Sequence, residues 1–335
     1  MPFPILQMDK LLVSVIIPAY NSADVIGDTL ESVLNQSYGN VEAVVVDDGS
    51  ADGTRKVVEG FTGTGKVKCY RQENAGPGAA RNSGIRVAKG KFIAFLDADD
   101  SLTPDSIEKR MALITEAKDL ELVYSNYFVK WYGELVRVRF DENYPGKCDF
   151  SLRQRIHGLV FEGSPAEIFD IPFDFWTAAV LVDRKLLDRT GPFRTDISIG
   201  EDRDMWIRLA LNTGKIGYVN SPVATYNRSR NSLTGRDSVR YSIARRDLNY
   251  HFLEKYGTSI QGGKARKVIH EKLSWVYYDL GKHYRKKGMI GRSIVNFLKS
   301  IYFSPKNDLP YKEIASSVLP RGLRDRLKRT VNRHD

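Results

Sequence analysis

Phe92-Ile93-Ala94-Phe95-Leu96-Asp97-Ala98-Asp99-Asp100 is the stretch that decides the fold. Five apolar residues, too few for a helix of their own, run into three acids within four positions. Such a run reads as a buried strand whose C-terminal end delivers carboxylates to a crevice at the edge of a sheet. Clustered carboxylates repel one another and resist desolvation, so a cation commonly holds them together. A plainer reading is also open, in which Asp100 and Ser101 cap a helix starting near Pro104.

Upstream the same pattern recurs. Val13–Ile17 is strand-like and runs into Pro18-Ala19-Tyr20-Asn21. A helix follows, with Asn21 or Ser22 as N-cap and Val25, Ile26, Leu30, Val33 and Leu34 on one face. Val41–Val46 is a second buried strand, ending in Asp47-Asp48-Gly49-Ser50, and a helix is expected from about Asp52 to Gly60. Val67–Arg71 makes a third strand, and Asn74-Ala-Gly76-Pro77-Gly78-Ala-Ala-Arg81-Asn82 leads into a helix ending near Gly90. Regular strand–helix alternation predicts an α/β fold built on an open, mostly parallel sheet with helices on both faces. Asn21, Asp47, Asp48, Asp97 and Asp99 each follow an apolar strand, which gathers them at the carboxyl edge where such sheets bind ligands.

Two glycine loops need separating. Gly60-Phe-Thr-Gly-Thr-Gly65-Lys66 imitates a phosphate loop, but Val67 stands where Ser or Thr is required and a strand follows. It reads as a turn. Gly76-Pro77-Gly78 opens a helix whose free N–H groups favour anions, and Arg81 one turn later would add charge there. A plain proline-started helix is the other reading of that loop.

The chain has 335 residues and two cysteines, Cys69 and Cys148, which fits a reducing, cytoplasmic setting and no disulfide framework. No run of about 18 apolar residues is present, so no membrane span is expected. The apolar run from Leu11 to Ile17 lacks a preceding basic segment and small cleavage residues, and reads as the first strand, not a secretory signal. Charge divides the chain: residues 236–335 hold 23 Lys and Arg against 9 Asp and Glu, and the remainder holds 28 against 32. Two domains are expected, 1–235 and a basic helical region 236–335.

Pro-Ala-Tyr-Asn, Asp-Asp-Gly-Ser, Asn-x-Gly-x-x-x-Ala-Arg-Asn-x-Gly and Asp-Ala-Asp, in that order, resemble the family-two glycosyltransferases of GT-A fold over roughly residues 12–235. The resemblance implies that Pro18, Ala19, Tyr20, Asn21, Asp47 and Asp48 hold the nucleoside of a nucleotide-diphosphate sugar, with uridine the favoured base. Gly76 and Arg81 are candidate donor contacts. Asp97 and Ala98 would meet the ribose, and Asp99, supported by Asp97, would hold Mg²⁺ or Mn²⁺ on the diphosphate. A divalent metal there stabilises the charge that grows on the leaving nucleoside diphosphate.

Farther on, Ile107–Ala117 looks helical and Leu120–Val129 strand-like, followed by an acceptor-side hairpin and loop to Ile171. Phe173–Val182 returns to strand, where Trp176 is either a sugar platform or a packing residue. Gly200-Glu201-Asp202-Arg203-Asp204-Met205 opens a helix with acids at its positive end. By the resemblance, Asp202 is the general base for the acceptor hydroxyl and Glu201 its acceptor-side support, which implies in-line displacement with inversion. The family often carries a histidine where this chain has Ser229, in Tyr226-Asn-Arg228-Ser229-Arg230. Arg228 or Arg230 is the candidate replacement on the diphosphate. His157 is expected to be a surface or packing residue.

The basic third reads as a helical hairpin, Val268–Arg285 and Ser293–Tyr302. Residues 318–331 space apolar residues among bases, suited either to an anionic membrane surface or to packing on the domain itself. No nucleic-acid module is visible. The expected enzyme is a metal-dependent inverting glycosyltransferase acting on a glycan or lipid-linked acceptor in surface polysaccharide or glycolipid synthesis, peripheral to the inner face of the cytoplasmic membrane. A non-catalytic sugar-nucleotide or glycan-binding subunit is the alternative. A nucleotidyltransferase ranks below it, for want of a triphosphate-binding basic loop near the first strand.

Overall fold

The computed structural model describes residues 11–117, 119–131, 134–139, 151–155, 158–162, 176–197, 199–228, 238–257 and 264–318. The chain forms two compact units, which divide between Ser232 and Leu233.

In the first unit the parallel core is β1 (Val13–Ala19), β2 (Val41–Asp47), β3 (Val67–Arg71) and β4 (Phe92–Phe95), in the order β3-β2-β1-β4. Each strand is short; β1 and β4 are largely apolar, and every residue of β2 is buried, whereas β3 buries only Val67. Between them run α1 (Ile26–Leu34), α2 (Thr54–Glu59) and α3 (Pro77–Val87). Beyond β4 the sheet becomes mixed. β5 (Ser101–Leu102), α4 (Ser106–Glu116), β6 (Leu122–Trp131), β7 (Glu134–Arg139), β8 (Ser151–Arg155), β9 (Gly158–Glu162), β10 (Val180–Asp183), α5 (Arg184–Thr190), α6 (Glu201–Asn212) and β11 (Lys215–Arg228) follow in sequence. From β4 the sheet continues as β10-β6-β11-β9-β8, with β10 antiparallel to β4 and β6, and β11 parallel to β6.

The opening of the sheet has a covalent cause. The register of β1 with β4 stops at Ile16↔Phe95, and the Leu96 N–H donates to Ile16 O at 3.0 Å. Peptide groups alternate sides along a strand, so the next donor facing β4 would be that of Pro18, which has no N–H. The strands part there, and Leu96-Asp97 leads into a turn closed by the Asp100 N–H on Asp97 O at 3.1 Å.

Helix α3 lies unusually close to β1. A Cβ on Gly84 would come within 2.4 Å of the Ile16 side chain, so only glycine permits this approach. Helix α1 starts at Ile26, not at Ser22: Val25 is its N-cap and no side chain caps it. Residues 22–25 form a preceding turn, in which Ser22 O accepts from the N–H groups of Val25 and Ile26.

A buried acid ties the amino ends of these strands together. Glu42 Oε1 accepts from Ser14 Oγ at 2.6 Å and from the Lys89 N–H at 2.7 Å, while Lys68 pairs with Oε2. Burial raises its carboxyl pKa, but the bonds from Lys68, Ser14 and Lys89 outweigh burial and hold it below the ordinary 4.5.

The second unit is helical: α7 (Ser238–Tyr256), α8 (Lys264–Lys286), α9 (Ile290–Phe303) and α10 (Leu309–Val318). The expected hairpin is α8 and α9, turning at Gly288 with φ 74°. Residues 319–331 of the expected membrane helix lie outside the described residues. Among the described residues no helix is long and apolar enough to cross a membrane.

Glu42→Gln is expected to lower stability by roughly 1–3 kcal/mol at neutral pH, measured by urea unfolding. A depressed folded-state pKa stabilises above the unfolded value and loses that contribution as pH falls through the folded value. The difference between wild type and variant should therefore shrink below pH 4.5. A constant difference down to the acid transition would refute the assignment.

Candidate active site

The parallel register aligns the strand ends: Ala19 lies beside Asp47 and Asp47 beside Arg71. Tyr20-Asn21, Asp47-Asp48 and Asp97–Asp100 consequently share one edge of the sheet. Asn21 takes a left-handed conformation, φ 48°, and its Oδ1 accepts from the Ala51 N–H at 2.9 Å. Its own N–H donates to Ser50 Oγ at 3.0 Å, so Asn21 locks the first loop to the second. Tyr20 is exposed beside it.

The paired acids of β2 turn inward. Asp47 Oδ1 accepts from the Ser50 N–H at 2.9 Å, and Arg71 Nε lies 3.8 Å from Oδ2, which has no hydrogen bond. Asp48 is engaged through both oxygens, by Gln72 Nε2 at 2.7 Å, the Ala75 N–H at 2.9 Å and the Gly76 N–H at 2.8 Å. Its visible task is to fix the Asn74–Gly76 loop ahead of α3. Beside this loop lies an open depression of about 490 Å³ lined by Gly49, Arg71, Gln72, Glu73 and Asn74.

Arg81 does not face the Gly76 loop as a free phosphate ligand. Its guanidinium is buried, with Nη1 donating to Glu201 Oε1 and Nη2 to Asp97 Oδ1, both at 2.7 Å. Burial opposes its charge, but the carboxylates of Asp97, Glu201 and Asp202 outweigh burial and raise its pKa above the ordinary value. One buried cation thus joins the turn after β4 to the start of α6. Gly78 leaves room for that contact, since a Cβ would meet Arg194 O at 2.7 Å and Glu201 Cγ at 3.2 Å. Asn82 exchanges two hydrogen bonds with the Phe193 backbone, at 2.9 and 2.8 Å, holding the Gly191–Phe193 turn that precedes α6.

The three acids after β4 have different surroundings. Asp97 belongs to Arg81. Asp100 is buried, its Oδ1 accepting from the Asn227 N–H at 2.9 Å and its Oδ2 unbonded. Burial, then Asp99 and Asp97, push its carboxyl well up. Asp99 is pushed up to about 6 by burial and by the Asp97 charge, and among the described residues no Lys or Arg pairs with it. Its backbone oxygen accepts from Asn227 Nδ2 at 2.9 Å. From the other side Thr29 Oγ1 lies 2.8 Å from both Ala98 O and Asp100 O. Among the described residues no cluster of three or more potential ligands has metal-holding geometry. One uncompensated carboxylate, with Asp97 beside it, is nevertheless a donor set that fits Mg²⁺ or Mn²⁺ completed by phosphate oxygens.

At the start of α6, Glu201 is buried against Arg81 and Asp202 is half-buried. Asp202 accepts from the Arg203 N–H at 2.7 Å and from Thr177 Oγ1 at 3.3 Å. Burial raises its carboxyl pKa against the pull of Arg81, with Asp97 adding to the rise. A carboxylate of raised proton affinity suits a general base. Asp204 is spent structurally, its Oδ2 accepting from Arg208 Nε at 2.7 Å.

Thr177 sits in a short 3-10 turn, Thr177–Ala179, that the sequence reads as continuous strand. Arg110 fixes that turn from beneath, its Nη1 donating to Ala178 O at 3.3 Å and Val180 O at 3.1 Å. Burial pushes the Arg110 pKa down to about 9. Trp176 is half-buried between Tyr127 and Tyr226, with ring centroids at 4.6 and 5.3 Å, and packs against the core. Arg228 ends β11, whereas Ser229 and Arg230, like His157 and Cys148, lie outside the described residues.

Acids at the carboxyl edge of a parallel sheet, facing a helix start that carries a second acid pair, fit the GT-A class of sugar transferases. Residues 14–160 match Glycosyl transferase family 2, and residues 92–257 match Glycosyl transferase family group 2. A Bacillus subtilis protein named as a glycosyltransferase, EpsH, is 28% identical over 255 residues, 74% of this chain and 71% of that protein. TuaG of the same organism, named for teichuronic acid biosynthesis, is 42% identical over 112 residues, 32% of this chain and 43% of its own, so the match spans less than half of that relative. Staphylococcus aureus TarS with UDP-GlcNAc shares the fold at TM-score 0.59 and 18% identity, covering 87% of this chain and 91% of that one. Pyrobaculum calidifontis mannosyltransferase PcManGT with GDP-Man and Mn²⁺ does so at 0.55 and 18%, covering 94% and 83%. This chain belongs to glycosyltransferase family 2.

Removing Arg81 leaves Asp97 and Glu201 without their cation. Arg81→Met is expected to destabilise by roughly 3–5 kcal/mol in urea unfolding, and Arg81→Lys by less. Equal stability of all three proteins would show that the fork is not formed in solution.

Proposed function

We propose that the chain moves a sugar from a nucleotide-diphosphate donor, UDP-linked by preference, to a hydroxyl of a glycan or lipid-linked acceptor, with inversion. The reading rests on one observation above all: Arg81 ties the Asp97–Asp99 turn and the Glu201–Asp202 helix start into a single site. Residues 1–235 would be the catalytic domain and 236–335 its basic appendage.

The nucleoside would lie along Tyr20, Asn21 and the depression lined by Arg71, Gln72 and Asn74, with the diphosphate directed toward Asp99. Mg²⁺ or Mn²⁺ bound there would neutralise charge on the departing nucleoside diphosphate. Asp97, fixed by Arg81, would meet the ribose or support Asp99. Asp202, oriented by Thr177, would take the proton of the acceptor hydroxyl as its oxygen bonds to the anomeric carbon and the bond to the diphosphate breaks. Glu201 would hold the acceptor side through Arg81, and Trp176 offers its half-buried ring there. Since a single base faces the leaving group, the configuration inverts. TuaG is named for teichuronic acid biosynthesis, which supports an acceptor in surface polysaccharide synthesis.

A thermal-shift panel of nucleoside diphosphates with and without Mn²⁺ tests the donor half. A ligand at about a hundred times its Kd stabilises by roughly 2.7 kcal/mol, so a metal-dependent shift with one nucleotide, lost in Asp99→Ala, is expected. No shift with any nucleotide would overturn the reading. Asp202→Asn is expected to keep that shift while transfer falls by about 10²–10⁴-fold. Unchanged transfer would remove Asp202 as the base.

A further inference from the structure

Helix α9 of the second unit leaves one apolar side uncovered. Its inward side carries two buried serines beside Phe297: Ser293 Oγ donates to Gly281 O and Ser300 Oγ to Ser274 O, both at 2.8 Å. Phe297 packs on Gly281, where a Cβ would come within 2.5 Å of the ring. The outward side is apolar as well. Val295, Leu298 and Tyr302 are 51%, 54% and 76% exposed. Their spacing puts them on one stripe, and Met289 and Ile290 are also exposed at the start of the helix. A helix packed in a water-soluble unit normally turns such a stripe to the core. An exposed apolar stripe of this kind marks a contact surface.

Charge selects the partner. Residues 282–306 hold seven Lys and Arg and no Asp or Glu. Arg292 and Lys299 flank the stripe, their cationic groups 5.9 and 5.4 Å from the ring centroids of Tyr284 and Tyr277. A second copy of this face, or residues 319–335 with six Lys and Arg against two Asp, would bring like charges together. A surface that is apolar within and anionic at its boundary matches both features at once.

We propose that α9 lies in the headgroup layer of an anionic bilayer, with Val295, Leu298 and Tyr302 toward the acyl chains and Arg292 and Lys299 at the phosphates. This docking is independent of the transfer chemistry and moves the membrane contact from residues 318–331 to α9.

Flotation of the full chain with phosphatidylcholine vesicles, alone or with about a third phosphatidylglycerol, tests it. Wild type should float only with the anionic vesicles and be released by salt. Leu298→Glu combined with Tyr302→Glu should lower the partition by roughly tenfold or more with far-UV circular dichroism unchanged. Arg292→Gln and Lys299→Gln, which leave the apolar stripe intact, should each lower it by about fivefold. A chain lacking residues 319–335 should float as wild type. Failure of wild type to float, flotation unaffected by all four substitutions, or loss only on removing residues 319–335 would overturn the proposal. So would a wild-type dimer in sedimentation that Leu298→Glu dissociates. None of these results bears on the transfer reading, which the nucleotide shifts test separately.

Discussion

The site depends on one buried guanidinium. Arg81 is a fixed cation in an apolar setting, and such a charge is stable only when carboxylates meet it at short range. Satisfying it draws together two segments more than a hundred residues apart, the turn after β4 and the first residues of α6. Much of the neighbouring backbone conforms to that requirement. Gly78 is bare so that Glu201 and Arg194 can approach, and Asn82 pairs with the Phe193 backbone so that α6 begins where Arg81 can reach it. The turn after β4 and the start of α6 are therefore held in one arrangement.

Around that cation the acids divide by whether the protein has already used them. Asp48 and Asp204 accept from protein donors, and Asp100 faces inward to Asn227. Asp202 accepts from Arg203 and Thr177, while no Lys or Arg among the described residues pairs with Asp99, and burial raises the proton affinity of both. Position alone thus gives both carboxylates a proton affinity above the ordinary one.

Much of this was legible in the sequence because strand ends are marked by composition. Short apolar runs ending in Asn21, Asp47-Asp48 and Asp97–Asp100 predicted the parallel core and its acidic edge, and Glu201-Asp202 marked the helix start. Contacts that depend on distant partners were not legible. Arg81 read as a phosphate ligand because nothing local says that Glu201 lies within reach. Nothing in the sequence near Thr29 or Asn227 marks their contacts with the turn after β4. Arg110 left a trace, since it occupies the same helix face as Ile107, Met111 and Ile114, but a buried arginine bonded to carbonyls is not what that face leads one to expect. The mixed half of the sheet escaped because β10 is only four residues long and its pairing with β4 is set by tertiary contact.

The proline in β1 carries a consequence for how the crevice meets its ligand. A gap held apart by side-chain packing can close when nothing fills it, and binding must then reopen it. Here the backbone lacks the donor that would close the ladder, so no rearrangement of neighbouring side chains can supply the missing bond. The β1–β4 ladder ends at this point as a matter of covalent structure. A ligand entering beyond it would have no ladder bond between these strands to break.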